Sequence, residues 1–256
     1  MQPITIVDYI RESFAAEPYL GLYLLLSALL LIVCWWLWRV TKSNQTLSGW
    51  LLFLIVHLYV PLMWGGRPNR RCPFPAEGPG LIIANHRSPV DPLLVCVWNH
   101  LGPRNRIFRL VSFLMAKEYY TIPGVAWACR TMDCVPIARG GRDMQGVKDC
   151  LDLLKQGNLV GVFPEGKINT GTGVLPFGTG IAWLALKAQV PIYPVFIQNS
   201  PVSTSMILPF IKPTHARLVY GDPIDLSEYY PTQKSKKTVQ EVTDLLHTRL
   251  AELEHA

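Results

Sequence analysis

Apolar and polar positions change rhythm along this chain, and the changes mark its elements. From Pro18 to Trp38 no charged residue occurs, and Tyr19–Trp38 reads YLGLYLLLSALLLIVCWWLW. At about 1.5 Å per residue a helix of this run reaches about 30 Å, the depth of a bilayer's hydrocarbon core. Trp35, Trp36 and Trp38 beside Arg39 supply an interfacial belt, so the pattern predicts a spanning helix over 19–38. The leader before it carries Asp8, Glu12 and Glu17 rather than a basic cluster, which argues against a cleavable signal peptide. A second apolar run, Trp50–Trp64 within an expected helix of 47–64, is shorter, contains His57 and is interrupted by Pro61. It reads as a re-entrant or interfacial helix, with a second span as the alternative. If only the first helix crosses, Arg39, Lys42, Arg67, Arg70 and Arg71 share one side, as the positive-inside rule prefers, and residues 67–256 are cytoplasmic.

Beyond a linker rich in Arg, Pro and Gly (Gly65–Gly80), short apolar runs alternate with amphipathic ones. Leu81–Ala84, Ile107–Phe113, Met132–Ile137, Leu159–Phe163, Ile192–Ile197 and Ala216–Tyr220 read as strands, several unbroken enough to be buried on both faces. Pro92–Leu101, Ile122–Arg130, Arg142–Gln156 and Gly180–Ala188 read as helices, and 232–256 closes with a polar amphipathic helix. The predicted fold is α/β, a mainly parallel sheet flanked by helices, behind an N-terminal two-helix transmembrane or interfacial anchor. The expected division is 1–66 for the anchor and 67–256 for a cytosolic domain.

Composition narrows the class. Half of the 256 residues are apolar, too many for a disordered chain, and Pro and Gly are spread without period. Six cysteines show neither zinc-ribbon spacing nor a dense disulfide framework, and no metal site is expected. The net charge of +6 has a location: residues 67–149 carry twelve basic against six acidic groups, and the rest of the chain is balanced. That excess suits an anionic partner such as phosphate, nucleic acid or an acidic membrane face.

Three segments carry candidate chemistry. In Asn85-His86-Arg87-Ser88-Pro89-Val90-Asp91-Pro92, between a strand and a helix, His86 and Asp91 would lie about 140° apart on a helix, unable to meet. Pro89 instead forces a turn that lets the carboxylate hold one imidazole nitrogen, leaving the other as general base. Asp91-Pro92 also reads as an N-cap followed by proline at the first helical position. In Ala138-Arg139-Gly140-Gly141-Arg142 two glycines and two guanidiniums at a helix start read as a phosphate cradle, or as an ordinary glycine turn. Gly161-Val162-Phe163-Pro164-Glu165-Gly166-Lys167-Ile168 falls short of a phosphate-binding P-loop, because Ile168 stands where a hydroxyl is required. No G-x-S-x-G elbow occurs, which favours direct attack by a substrate hydroxyl. Leu93, Leu94, Val95, Val97 and Trp98 on the following helix could line an acyl tunnel or pack the core.

Together these blocks resemble the glycerolipid acyltransferase superfamily, typified by 1-acyl-glycerol-3-phosphate acyltransferases, over about residues 67–225. NHRSPVD is similar to its H-x4-D motif, Val135–Arg139 to its arginine motif, Phe163–Gly166 to its F-P-E-G motif, and Val190–Val195 to its apolar proline block. The resemblance implies His86 as base and Asp91 as its orienter, with Arg139 and Glu165 holding the acceptor head group; Gly140, Gly141, Arg142 and Gly166 complete the expected substrate site. It implies transfer of a fatty acyl group from acyl-CoA or acyl-carrier protein to a lysophospholipid, foremost 1-acyl-glycerol-3-phosphate, giving phosphatidic acid at the cytoplasmic membrane. No further cofactor and no nucleic acid are expected. Lys167-Ile168-Asn169 replaces the family's usual Thr-Arg and resembles the tafazzin-like transacylase branch, and Gly178 stands where many members carry lysine. A transacylase, an acyltransferase for another lyso-lipid, and a non-catalytic lipid-binding protein are the rival readings.

Overall fold

The computed structural model describes residues 19–41, 46–65, 67–99, 109–138, 143–231 and 235–256, without the side chains of 39, 40, 97 and 98. The chain forms two compact units, 1–44 and 45–256. The first contains helix α1 (Leu20–Thr41), whose uncharged stretch Leu20–Trp38 is nowhere buried. The second apolar helix, α2 (Leu47–Trp64), packs with the α/β part, so a boundary at residue 66 would cut through a packed unit. Both helices are long and apolar enough to cross a bilayer.

Thr46 starts α2 by accepting a hydrogen bond from Gly49 N–H at 3.1 Å, and Gly65 ends it in the left-handed region at φ 53°. Leu52, Val56, Val60 and Trp64, four residues apart, are buried in the core, whereas Leu47, Leu51, Ile55, Leu58 and Leu62 are exposed.

Six strands form one sheet: β1 (Gly80–Ala84), β2 (Val111–Ala116), β3 (Val135–Ile137), β4 (Leu159–Val162), β5 (Ile192–Gln198) and β6 (Arg217–Tyr220). Their order is β3-β2-β4-β1-β5-β6, parallel throughout except that β6 runs antiparallel to β5. In the central register Ile82 lies between Gly161 and Tyr193. The connecting helices are α3 (Asp91–Asn99), α4 (Pro123–Thr131), α5 (Met144–Lys155) and α6 (Gly180–Ala188); a short α7 (Leu208–Ile211) precedes β6 and α8 (Lys236–Ala251) follows it. Alternate strand residues serve two cores. Ile82 and Ala84 meet α2 and α3, while Leu81 and Ile83 meet α5, α6 and α8. This double coverage is why β1 and β4 are apolar at every position rather than alternating. The strands and helices expected from the pattern are present within a few residues at their ends; α7 had no period to announce it.

Candidate active site

The described site lies beyond the carboxyl ends of the three central strands β4, β1 and β5, where open parallel sheets leave a crevice. Asn85, directly after β1, is fully buried; its Nδ2 donates to Ile197 O at 3.1 Å and its Oδ1 accepts from Ile197 N at 2.6 Å. This side chain continues the β1–β5 pairing by one more step and fixes where the chain turns.

The turn then doubles back, with Asp91 N–H donating to Ser88 O at 3.2 Å. Asp91 is fully buried, and its Oδ2 accepts from Arg87 N at 2.6 Å and Ser88 N at 2.7 Å, and meets His86 Nδ1 at 3.0 Å. Its Oδ1 accepts from Ser200 Oγ at 2.6 Å. A carboxylate can only accept, so the proton in the histidine contact belongs to Nδ1 and the free lone pair of the ring to Nε2. The spacing argument therefore gives the right geometry, with one difference: Asp91 does not cap α3, because its acceptor capacity is turned backwards to the amides before it.

Phe163, just past β4, stacks on His86 with ring centroids 4.2 Å apart, and Phe113 stacks on Phe163 at 5.4 Å. The imidazole is thus backed by aromatic surface and is 17% exposed. Glu165 is buried, and its Oε1 accepts from His86 N at 2.7 Å and its Oε2 from Leu175 N at 3.0 Å. Burial raises its carboxyl above the ordinary range, against the pull of those two N–H groups. Its charge places the His86 backbone, and the Asn169 side chain also bonds to it. Gly166 sits at φ 67° with open space around it, the left-handed step that turns the chain after Glu165.

Arg139, Gly140, Gly141 and Arg142 lie outside the described residues. Their flanks are fixed by Asp143, whose carboxylate accepts from Ala138 N at 2.9 Å and from Gly146 N at 3.0 Å, with Lys117 Nζ 3.8 Å away. Asp143 is the N-cap of α5, so this chain's own carboxylate already engages the amides at that helix start. The surrounding cation excess is also partly structural. Buried Arg109 donates to Pro75 O, Gly78 O and Gly157 O at 2.6–2.8 Å, and Arg70 pairs with Asp222 at 2.7 Å.

Ser200 escaped the sequence reading, and Asn169 entered it only as part of a departure from the family's pattern. Ser200, after β5, is 109 positions from Asp91 and no local pattern links them. Asn169 N–H donates to His86 O at 2.7 Å while its side chain bridges Gly171 N and Gly173 O, closing the loop after Glu165; Asn-Thr-Gly is a turn signal that could have suggested it.

An α/β sheet with a carboxylate-held histidine at the carboxyl ends of its strands leaves the second ring nitrogen able to accept a proton, chemistry that suits a group-transfer enzyme. The chain belongs to the Acyltransferase family, whose profile matches residues 69–198, just over half of its length. Similar proteins include a Caenorhabditis elegans protein provisionally named a 1-acyl-sn-glycerol-3-phosphate acyltransferase, 34% identical over 129 residues (48% of this chain, 42% of that protein). The chloroplastic 1-acyl-sn-glycerol-3-phosphate acyltransferase BAT2 of Brassica napus is 28% identical over 159 residues (59% and 44%). The match thus spans less than half of either relative. The crystal structure of the 1-acyl-sn-glycerophosphate acyltransferase PlsC from Thermotoga maritima shares the fold, with TM-score 0.61 at 20% identity over 88% of this chain and 90% of that one.

Proposed function

We propose that this chain is a membrane-associated O-acyltransferase that acylates a lysophospholipid, foremost 1-acyl-glycerol-3-phosphate. The observation that carries the reading is the Asp91–His86 contact of 3.0 Å, which favours the tautomer with its proton on Nδ1 and leaves Nε2 to accept the proton of the acceptor hydroxyl. The freed alkoxide attacks the thioester carbonyl of acyl-CoA or acyl-carrier protein. Collapse of the tetrahedral intermediate expels the thiolate, which takes the proton back from His86. Family membership and the names of the similar proteins support the acyl acceptor; the cation excess of residues 67–149 supports its phosphate. Arg139 and Glu165 are the proposed head-group contacts, with Gly140, Gly141, Arg142 and Gly166 beside them. The two apolar helices support a membrane location, and the basic residues after α1 support a cytoplasmic α/β unit.

Purified protein supplied with a panel of lyso-lipids and either an acyl thioester or a diacyl phospholipid, with products read by mass spectrometry, tests this. Phosphatidic acid from the thioester is the expected product. Acyl transfer only from phospholipid would replace the reading by a transacylase, the branch that Lys167-Ile168-Asn169 resembles, and no product would leave a lipid-binding protein.

A further inference from the structure

The segment between β5 and β6 begins at the site and ends at an exposed apolar tip. Ser200 Oγ reaches Asp91, and Ser203 N–H donates to Arg87 O at 3.2 Å. Ser205 Oγ then accepts from the N–H groups of Ile207 and Leu208, starting α7. From there the chain is clamped to the last turns of α2. Tyr59 OH donates to Phe210 O, Trp64 Nε1 lies 3.3 Å from both Pro209 O and Lys212 O, Thr214 N donates to Met63 O, and Ala216 N to Trp64 O. Pro209 and Phe210 pack inward, whereas Ile207 is 73% exposed, Leu208 48% and Ile211 67%. On the same turns of α2, Leu58 and Leu62 are 72% and 81% exposed. A bonded, rigid segment therefore holds five aliphatic side chains outward.

We propose that Ser205–Lys212 is a second membrane-contacting element, which inserts Ile207, Leu208 and Ile211 into the interface of an anionic lipid surface beside α2. This rests on the reading above that the acceptor is a membrane lipid. Charge selects the occupant. No Asp or Glu occurs between Glu165 and Asp222, and exposed Lys212, His215 and Arg217 follow the tip directly. Aliphatic side chains bordered by cations suit acyl chains bordered by anionic head groups. A second copy of this chain fits worse, because a two-fold contact would set those cations against their own symmetry mates with no acidic residue of the segment to offset them. Insertion would hold the Ser200–Asp91–His86 array at head-group depth, where a lysophospholipid presents its hydroxyl.

The test uses the full-length chain in vesicles of equimolar phosphatidylglycerol and phosphatidylcholine. On a Cys34→Ser background, Ile207→Cys and Ile211→Cys each carry an environment-sensitive fluorophore, with Glu241→Cys on α8 as control. The expected result is a blue shift and quenching by lipids spin-labelled near the top of the acyl chain at 207 and 211 but not at 241. Quenching equal at all three sites, none at 207 and 211, or a shift that depends on protein density instead of lipid would overturn the proposal, the last assigning the patch to self-association. In a second arm, Ile207→Asp/Ile211→Asp should lower turnover of a vesicle-embedded long-chain acceptor about tenfold while sparing a dissolved short-chain one. Equal loss on both would also overturn it. Were the wild type inactive on every acceptor, the functional reading would fail while the quenching result still decided the insertion.

Discussion

Glu165 and His86 are joined through the backbone: a buried carboxylate oxygen on the β4 side accepts the N–H of the histidine on the β1 side at 2.7 Å. With the Asn169 N–H donating to His86 O, both polar backbone groups of the proposed base are held by F-P-E-G and the loop after it. The two motifs are thus one rigid unit, and pH should expose it. Burial puts the folded-state pKa of Glu165 above its unfolded value, so the folded protein holds that proton more tightly. While ionised, Glu165 costs stability, and the cost is relieved as pH falls through the folded pKa towards the unfolded one. Activity needs two accepting oxygens and should move oppositely, its acid limb displaced upward from the ordinary carboxylate range. Glu165→Gln should remove that limb, lower kcat/KM throughout, and become less stable relative to wild type as pH falls. Rate profiles and denaturant unfolding against pH check this; an unchanged acid limb in the variant would assign it to another group.

His86→Ala should abolish most turnover, by about 10²–10⁴ in kcat, with an intact fold. Asp91→Asn should lose comparably in kcat with acceptor KM little changed, because an amide oxygen can still satisfy the Arg87 and Ser88 amides but bears no charge to favour the imidazolium. Ser200→Ala removes one charge-assisted bond, worth about 1.5–3 kcal/mol, from a carboxylate that is fully buried. It should lower both Tm and kcat, whereas Ser200→Thr should restore them. Wild-type kcat in His86→Ala would remove the base from the mechanism.

Much of this site is legible in the chain because it is local. His86, Asp91 and the proline between them occupy one strand-to-helix turn, and five positions fix who can meet whom. Ser200, Asn85's tie to Ile197, and the Phe113–Phe163–His86 stack depend on which strands are neighbours. Sequence order does not state that β1 lies between β4 and β5. α2 was legible as apolar, but both of its faces are apolar, so periodicity could not say that Leu52, Val56, Val60 and Trp64 belong to the domain core.

Gly161 in β4 tests the stack. A Cβ there would collide with the Phe113 ring, which leans on Phe163 and through it on His86. Gly161→Ala should cost about 1–3 kcal/mol by overpacking and reduce kcat as the stack shifts. Adding Phe113→Leu should recover part of both, read by thermal unfolding and turnover. A stability loss with unchanged kcat would show that the ring stack does not position the histidine.

Arg139→Ala should raise the acceptor KM far more than the donor KM, since a charged hydrogen bond contributes about 1.5–3 kcal/mol. Asp143 already engages the start of α5, so under the proposed reading the phosphate contact falls to the guanidinium. Steady-state kinetics with each substrate varied decides this, and equal effects on both would sink the assignment.

The acyl chain must leave water near His86, and α3 offers two kinds of position. Leu94 and Val95 are buried in the core, the packing alternative to a tunnel lining. Leu93 and Cys96 instead face Leu52, Phe53 and Val56 of α2 across a narrow apolar gap of about 10 Å³, which Leu110 and Met132 complete. A side chain enlarged at the end of a tunnel shortens the longest chain accepted, whereas one enlarged in a core costs about 1–3 kcal/mol without changing selectivity. If the acyl chain enters by widening this gap, Leu93→Trp should shift the length profile towards shorter acyl thioesters, whereas Leu94→Trp should lower Tm at an unchanged profile. Assays over acyl thioesters of graded length separate the two. If both variants lose stability and keep the profile, the space between α2 and α3 is only a packing gap and the chain enters elsewhere.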